Sequence, residues 1–219
     1  MKAILYADWV GLRGTSLRPM LATMCFFLMW SVMLGEPLFF GYMMVISGFL
    51  YPNSAFAGAA SAGWDRLSLT MPILRREVVA SRFVMALLVN AALFVVGVSV
   101  GAVCYFVTGR ADEIWTLLTG TLAAECTALL MIGLQLAAAF KWGIERAALV
   151  VVGTAVALIA GIAAVARAMG TELSVVLDRL GALNHVQGLL FMLGLLAVSL
   201  AVYGVCWLVS VRVFAKKEF

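Results

Sequence analysis

Residues able to do chemistry are few in this chain of 219 residues, and they are scattered. Glu125 is the one ionisable residue deep inside an apolar run. Thr121 lies one turn before it, and Gln135 lies further along the same run. An acid at that depth costs a few kcal/mol and turns towards the bundle interior or a cavity. Glu125, Thr121 and Gln135 therefore form a weak candidate set for a substrate cavity, in which the carboxylate meets a cationic or hydrogen-bonding group. The alternative is a protonated Glu125 hydrogen-bonded between helices. His185, the single histidine, has no second His, Cys or carboxylate near it in sequence, and reads as an interfacial polar residue. Cys25, Cys104, Cys126 and Cys206 all fall in apolar runs without CxxC spacing, which argues against zinc or a disulfide. No nucleophile elbow, catalytic carboxylate pair or phosphate-binding glycine loop occurs. The expectation is a chain with no catalytic set, no metal site and no bound cofactor.

These residues must be positioned by membrane helices. With 65% hydrophobic and 12% charged residues, the composition is far from that of a soluble domain, where about a quarter of residues are charged. The apolar runs are long and continuous rather than alternating, which favours helices over a barrel. An all-α integral membrane protein follows. Met1, Leu5, Trp9 and Leu12 recur at helical spacing with Lys2, Asp8 and Arg13 between them, so residues 1–18 read as an interfacial amphipathic helix with Trp9 at headgroup depth. No small-residue cleavage site closes the first apolar run, so no removable signal peptide is expected. Residues 19–219 then form one transmembrane domain. Its spans are expected at about 19–34, 38–51, 83–107, 114–140, 147–166 and 186–211. The first two are short enough to leave a re-entrant hairpin as an alternative. Gly97 and Gly101, four residues apart in the third span, would let helices approach closely.

One long polar interruption, Gly63 to Phe83, stands out in the first half of the chain. It holds Arg66, Arg75, Arg76 and Arg82, four of the fifteen Lys and Arg residues. If the N-terminus is cytoplasmic, only Arg110, Arg167 and Arg179 lie outside, which leaves twelve of the fifteen inside. That bias sets six spans with both termini in the cytoplasm. It also accounts for the net charge of +4 without nucleic acid. The segment 52–82 then lies in the cytoplasm, longer than a simple connection needs. Pro72 suits the first turn of a helix, with Ile73, Leu74, Val78 and Val79 on an apolar side and Arg75, Arg76, Glu77 and Arg82 supplying charge. Between spans five and six, Leu173, Val176, Leu177 and Leu180 recur at helical spacing, so residues 170–181 read as a short helix on the outer surface.

The run Leu69-Thr70-Met71-Pro72-Ile73-Leu74-Arg75-Arg76-Glu77-Val78-Val79-Ala80-Ser81-Arg82-Phe83 resembles the corresponding segment of bacterial ABC-2-type permeases, the membrane subunits of ATP-binding cassette exporters. The expected topology agrees along nearly the whole chain, with the short first two spans as the departure. The resemblance implies that 52–82 contains a coupling helix docked on a cytoplasmic ATPase subunit, present in two copies and carrying the ATP and Mg. Docking contacts are expected at Trp64, Arg66, Leu69, Met71, Pro72, Ile73, Leu74, Arg75, Arg76, Glu77 and Arg82. The resemblance further implies a homodimer, or a heterodimer with a related permease, in the bacterial cytoplasmic membrane, exporting a peptide, drug or lipid. A six-span substrate-capture subunit of a vitamin or metal uptake system, or a secondary carrier, are the competing readings.

Overall fold

The computed structural model of the chain describes residues 2–61, 75–168 and 185–215, and among them the regular elements are all helices. In chain order these are α1 (Lys2–Gly11), α2 (Leu17–Leu34), α3 (Pro37–Ser47), α4 (Leu50–Ser61), α5 (Arg75–Val107), α6 (Ile114–Trp142), α7 (Ile144–Ala168) and α8 (His185–Ala215). Pro19 has no amide to donate to the Thr15 carbonyl, and the π-helical turn Leu12–Ser16 takes up the change of register. The chain bends there by 58° between Asp8–Gly14 and Arg18–Leu34. Among the described residues, three helices, in α5, α6 and α8, are long and apolar enough to cross a membrane, or four if that bent pair is one span. The chain is thus a multi-pass membrane protein.

Two turns have the same construction. Gly35, at φ 68°, lets its amide reach the Val32 carbonyl and the Glu36 amide reach Ser31, closing α2; Pro37 then starts α3 with φ already fixed. Gly109, at φ 73°, closes α5 in the same way, with bonds from Gly109 to Phe106 and from Arg110 to Tyr105. Arg110 ties the two turns together. Its guanidinium forks onto Glu113 with two bonds of 2.7 Å, donates to the Gly35 carbonyl at 3.1 Å and sits 3.5 Å from Glu36. These contacts, the fork onto Glu113 first, hold the Arg110 guanidinium more firmly protonated than usual.

Two boundaries differ from the sequence reading. The expected second span, 38–51, breaks at Gly48 and Phe49, and α4 carries the helix on to Ser61. Gly48 at this break has its face against Asn90, where a Cβ would collide with the amide oxygen. The expected third span began at Phe83, but α5 starts at Arg75, because an apolar run marks only the part of a helix in lipid. The polar connection therefore lies between α4 and α5, and the residues 62–74 that form it fall outside the described residues, as does the expected outer helix 170–181.

The centre of the bundle is α6, enclosed by α3, α5, α7 and α8. Small residues set how close the helices come. A Cβ on Gly97 of α5 would stand 3.3 Å from the backbone of Gly41 in α3, and one on Gly101 would stand 2.9 Å from Leu117 of α6. The glycine pair noted in the sequence thus faces two different helices. Gly194 of α8, by contrast, faces open space. Replacing Gly97 or Gly101 with Leu should cost about 1–3 kcal/mol through overpacking, read as a lowered melting temperature in detergent. Gly194→Leu should leave it unchanged; equal losses at all three positions would contradict this packing.

Candidate functional site

The two turns of α5 below Phe83 are polar, yet not all of that polarity faces outward. Arg76 is exposed and Glu77 half-buried, whereas Arg82 is 8% exposed. Its guanidinium lies 3.2 Å from the Asp8 carboxylate of α1, with both side chains at or below 10% exposure. The same group donates to the Ala55 carbonyl of α4 at 3.4 Å and stands 5.7 Å from the centre of the Phe56 ring. Tyr51, 2% exposed, lies beside the pair, though no hydrogen bond of good geometry reaches its hydroxyl or Asp8 Oδ2. One side chain therefore holds α1, α4 and α5 together at the foot of the bundle.

Phe83 does the same on the other side. Its ring lies 5.2 Å from Tyr203 of α8 and 6.4 Å from Phe140 of α6, and Phe140 in turn meets Phe56 at 5.3 Å and Phe214 at 5.4 Å. The Tyr203 hydroxyl donates to the Phe83 carbonyl at 2.7 Å. Edge-to-face rings at these separations contribute beyond their buried area. The consecutive residues Arg82 and Phe83 thus join five helices. The first turns of α5 are linked to α1 by a charge pair, to α4 by a hydrogen bond and a cation–ring contact, and to α6 and α8 by aromatic contacts.

The expected docking residues Trp64, Arg66, Leu69, Met71, Pro72, Ile73 and Leu74 lie outside the described residues. Arg75 opens α5, Arg76 is on its surface, and Arg82 is directed inward rather than towards a partner. The three cavity candidates are buried in α6. Thr121 returns its hydroxyl to the Leu117 carbonyl, and Gln135 donates to Asn53 Oδ1 at 2.9 Å. Glu125, 6% exposed, lies beside Asn90 of α5, yet no well-formed hydrogen bond reaches Glu125 Oε2 or either amide atom of Asn90. None of the three lines the apolar cavity of about 280 Å³ between α1, α2, α3 and α5. Among the described residues, no three His, Cys, Asp or Glu side chains come together as a metal site.

Sequence reading missed Asp8, Tyr51 and Asn90. Asn90 had a signal, an amide in the middle of the run Leu87-Leu88-Val89-Asn90-Ala91-Ala92. Asp8 had none, since an acid in an interfacial helix is ordinary and its partner lies 74 positions away.

Removing one partner of a buried ion pair strands the other charge, at a cost of about 3–5 kcal/mol, whereas replacing both with apolar side chains is often neutral. Arg82→Met is therefore expected to lower the melting temperature sharply, and Asp8→Leu with Arg82→Met to recover most of the loss. Additive losses in the double variant would show that the two groups do not interact.

The chain is related to known proteins at the level of a family. No curated protein and no solved structure matches it. A protein family does, described as ABC-2 family transporter protein, over residues 13–215, which takes in the Arg82-Phe83 junction and all of α2 to α8. The chain belongs to the ABC-2 family of transporter proteins and is one of its membrane subunits.

Proposed function

We propose that the chain is the permease subunit of an ATP-binding cassette exporter, moving a hydrophobic or amphipathic substrate outward with ATP hydrolysed on a separate cytoplasmic subunit. The observation that carries the reading is the continuity of α5. This helix runs unbroken over 33 residues, from Arg75 beside the polar connection to Val107 at the far turn. A rigid element with one end at an ATPase surface and its length among the spans is what a two-state movement requires. Residues 52–82 serve as the coupling segment within a single transmembrane domain, 19–219, preceded by the interfacial helix 1–18. Six spans place both termini in the cytoplasm of a bacterial cell, with 170–181 on the outer side.

Two ATPase subunits bind ATP and Mg and press on a dimer of permeases. Leu69, Met71, Ile73 and Leu74 pack on the ATPase, and Arg75, Arg76 and Glu77 set the register. Arg82 and Phe83 stand one step behind that surface and pass the movement on. The apolar faces left uncovered on α2, α7 and α8, among them Met33, Leu149 and Leu190, suit lipid and a second permease alike. Glu125 serves as a polar point inside an otherwise apolar helix centre, where a substrate that opens the bundle would meet it.

Co-purification of the chain with its ATPase subunit tests the docking assignment. Reversing Arg75 and Arg76 to Glu should reduce the recovered ATPase about tenfold, the scale of 1.4 kcal/mol in a charged contact. Glu125→Gln should leave recovery unchanged while altering substrate preference. Full recovery with both arginines reversed would remove the coupling assignment.

A further inference from the structure

The cavity of about 280 Å³ between the bent α1–α2 pair and α3 and α5 is lined by apolar side chains throughout, four of them methionines. Leu12, Met44 and Met85 form its buried wall, at 2–6% exposure, while Leu21 and Leu88 at its edges are more than half exposed. It is therefore a groove opening to the surroundings of the bundle, which in a membrane is acyl chain. Along α5 its wall runs from Met85 to Val96, about 16 Å at 1.5 Å per residue.

One end of the groove is marked chemically. Trp9 lines it there, and the Arg13 guanidinium stands 5.1 Å from the centre of the Trp9 ring. Arg13 is exposed, and no carboxylate among the described residues pairs with it. The Asp8–Arg82 pair sets the depth of this end, because it pins the same helix to α5 one residue before Phe83. Trp9 and Arg13 thus stand at the polar end of α5, at the level where an interface begins, and the groove runs from them into the apolar part of the helix. A cation on an indole at the mouth of an apolar channel is complementary to an anionic headgroup carrying an acyl chain.

We propose that this groove is a binding site for an anionic phospholipid, one acyl chain lying between α2 and α5 and the headgroup phosphate facing Arg13. Methionine side chains repack around chains of differing shape, so the site selects for headgroup charge rather than for one fatty acid. The lipid fills the wedge behind the bend between α1 and α2, and holds α1 against α5 beside the Arg82 ion pair. The inference does not depend on the direction of transport or on the substrate.

The test uses the full-length chain in whatever assembly it forms, equilibrated with equal amounts of dioleoylphosphatidylglycerol and dioleoylphosphatidylcholine and read by native mass spectrometry. The wild type should retain phosphatidylglycerol with about fivefold preference, the scale that one basic residue supplies at an anionic surface. Ala92→Trp, which fills the groove from its exposed edge, should abolish the retained lipid. Arg13→Gln, a surface change compatible with folding, should keep lipid but lose the preference, and it decides the matter alone if Ala92→Trp is not recovered. Unchanged retention in Ala92→Trp, or unchanged preference in Arg13→Gln, would overturn the proposal. So would a changed oligomeric state in Ala92→Trp with lipid retention unaltered, which would assign the groove to a second copy of the chain.

Discussion

A guanidinium placed at the edge of lipid has two ways to avoid the cost of desolvation: it can reach back to water, or it can find an anion. Arg82 takes the second, and much of the lower half of the molecule follows from that choice. Its carboxylate partner comes from another element, and α1 is held against α5. Its remaining donors need acceptors, so the end of α4 is held by the Ala55 carbonyl. Phe83, adjacent in sequence but rotated about 100° around the helix, faces a different side and gathers α6 and α8 in an aromatic cluster. A buried pair of this kind is weak evidence for stability but strong evidence for a fixed arrangement, since separating it exposes a charge with nowhere to go. In the proposed coupling, that fixity suits a place where movement would enter the membrane domain.

The far end of α5 is held by a different device. Arg110 is exposed enough to keep its hydration and works through direction, forking onto Glu113 while reaching across to the turn between α2 and α3. From Arg82 to Val107, α5 covers about 37 Å, somewhat more than the hydrocarbon thickness of about 30 Å. The two arginines thus mark the two ends of a helix long enough to span, one buried in an ion pair and one in a turn. Between them the helices meet through glycine and small polar residues, the usual means of approach where lipid offers no hydrophobic driving force. The groove beside Trp9 is a place where this packing leaves an opening towards the membrane, on the side of the bundle that the bend at Pro19 holds apart.

Much of this was legible in the sequence, and the reasons differ from place to place. The helical, membrane-embedded character followed from uninterrupted apolar runs, and the resemblance carried by Leu69 to Phe83 agrees with the family of the whole chain. Gly97 and Gly101 announced close packing through spacing alone. Glu125 announced itself by depth. Its neighbour Asn90 was equally visible but was passed over, because an amide lacks the charge that makes a carboxylate conspicuous. Gln135 was read as facing a cavity, whereas it bonds to Asn53 across helices. The close approach of Asn90 to Gly48 was hidden, since it comes from another helix. The pairing of Asp8 with Arg82 was hidden for the same reason: each residue taken alone fits an interfacial helix, and only the fold brings them together.

The central claim is that Arg82 and Phe83 carry movement from the polar segment into the bundle. Spin labels on Tyr6 of α1 and Leu208 of α8, both exposed at 69% and 53%, would report it as a distance in the ATPase-bound complex with and without ATP. ATP should change that distance in the wild type, and the change should vanish in Asp8→Leu with Arg82→Met although the ATPase stays bound. An undiminished change in the double variant, with the complex intact, would show that the movement enters the membrane domain by another route.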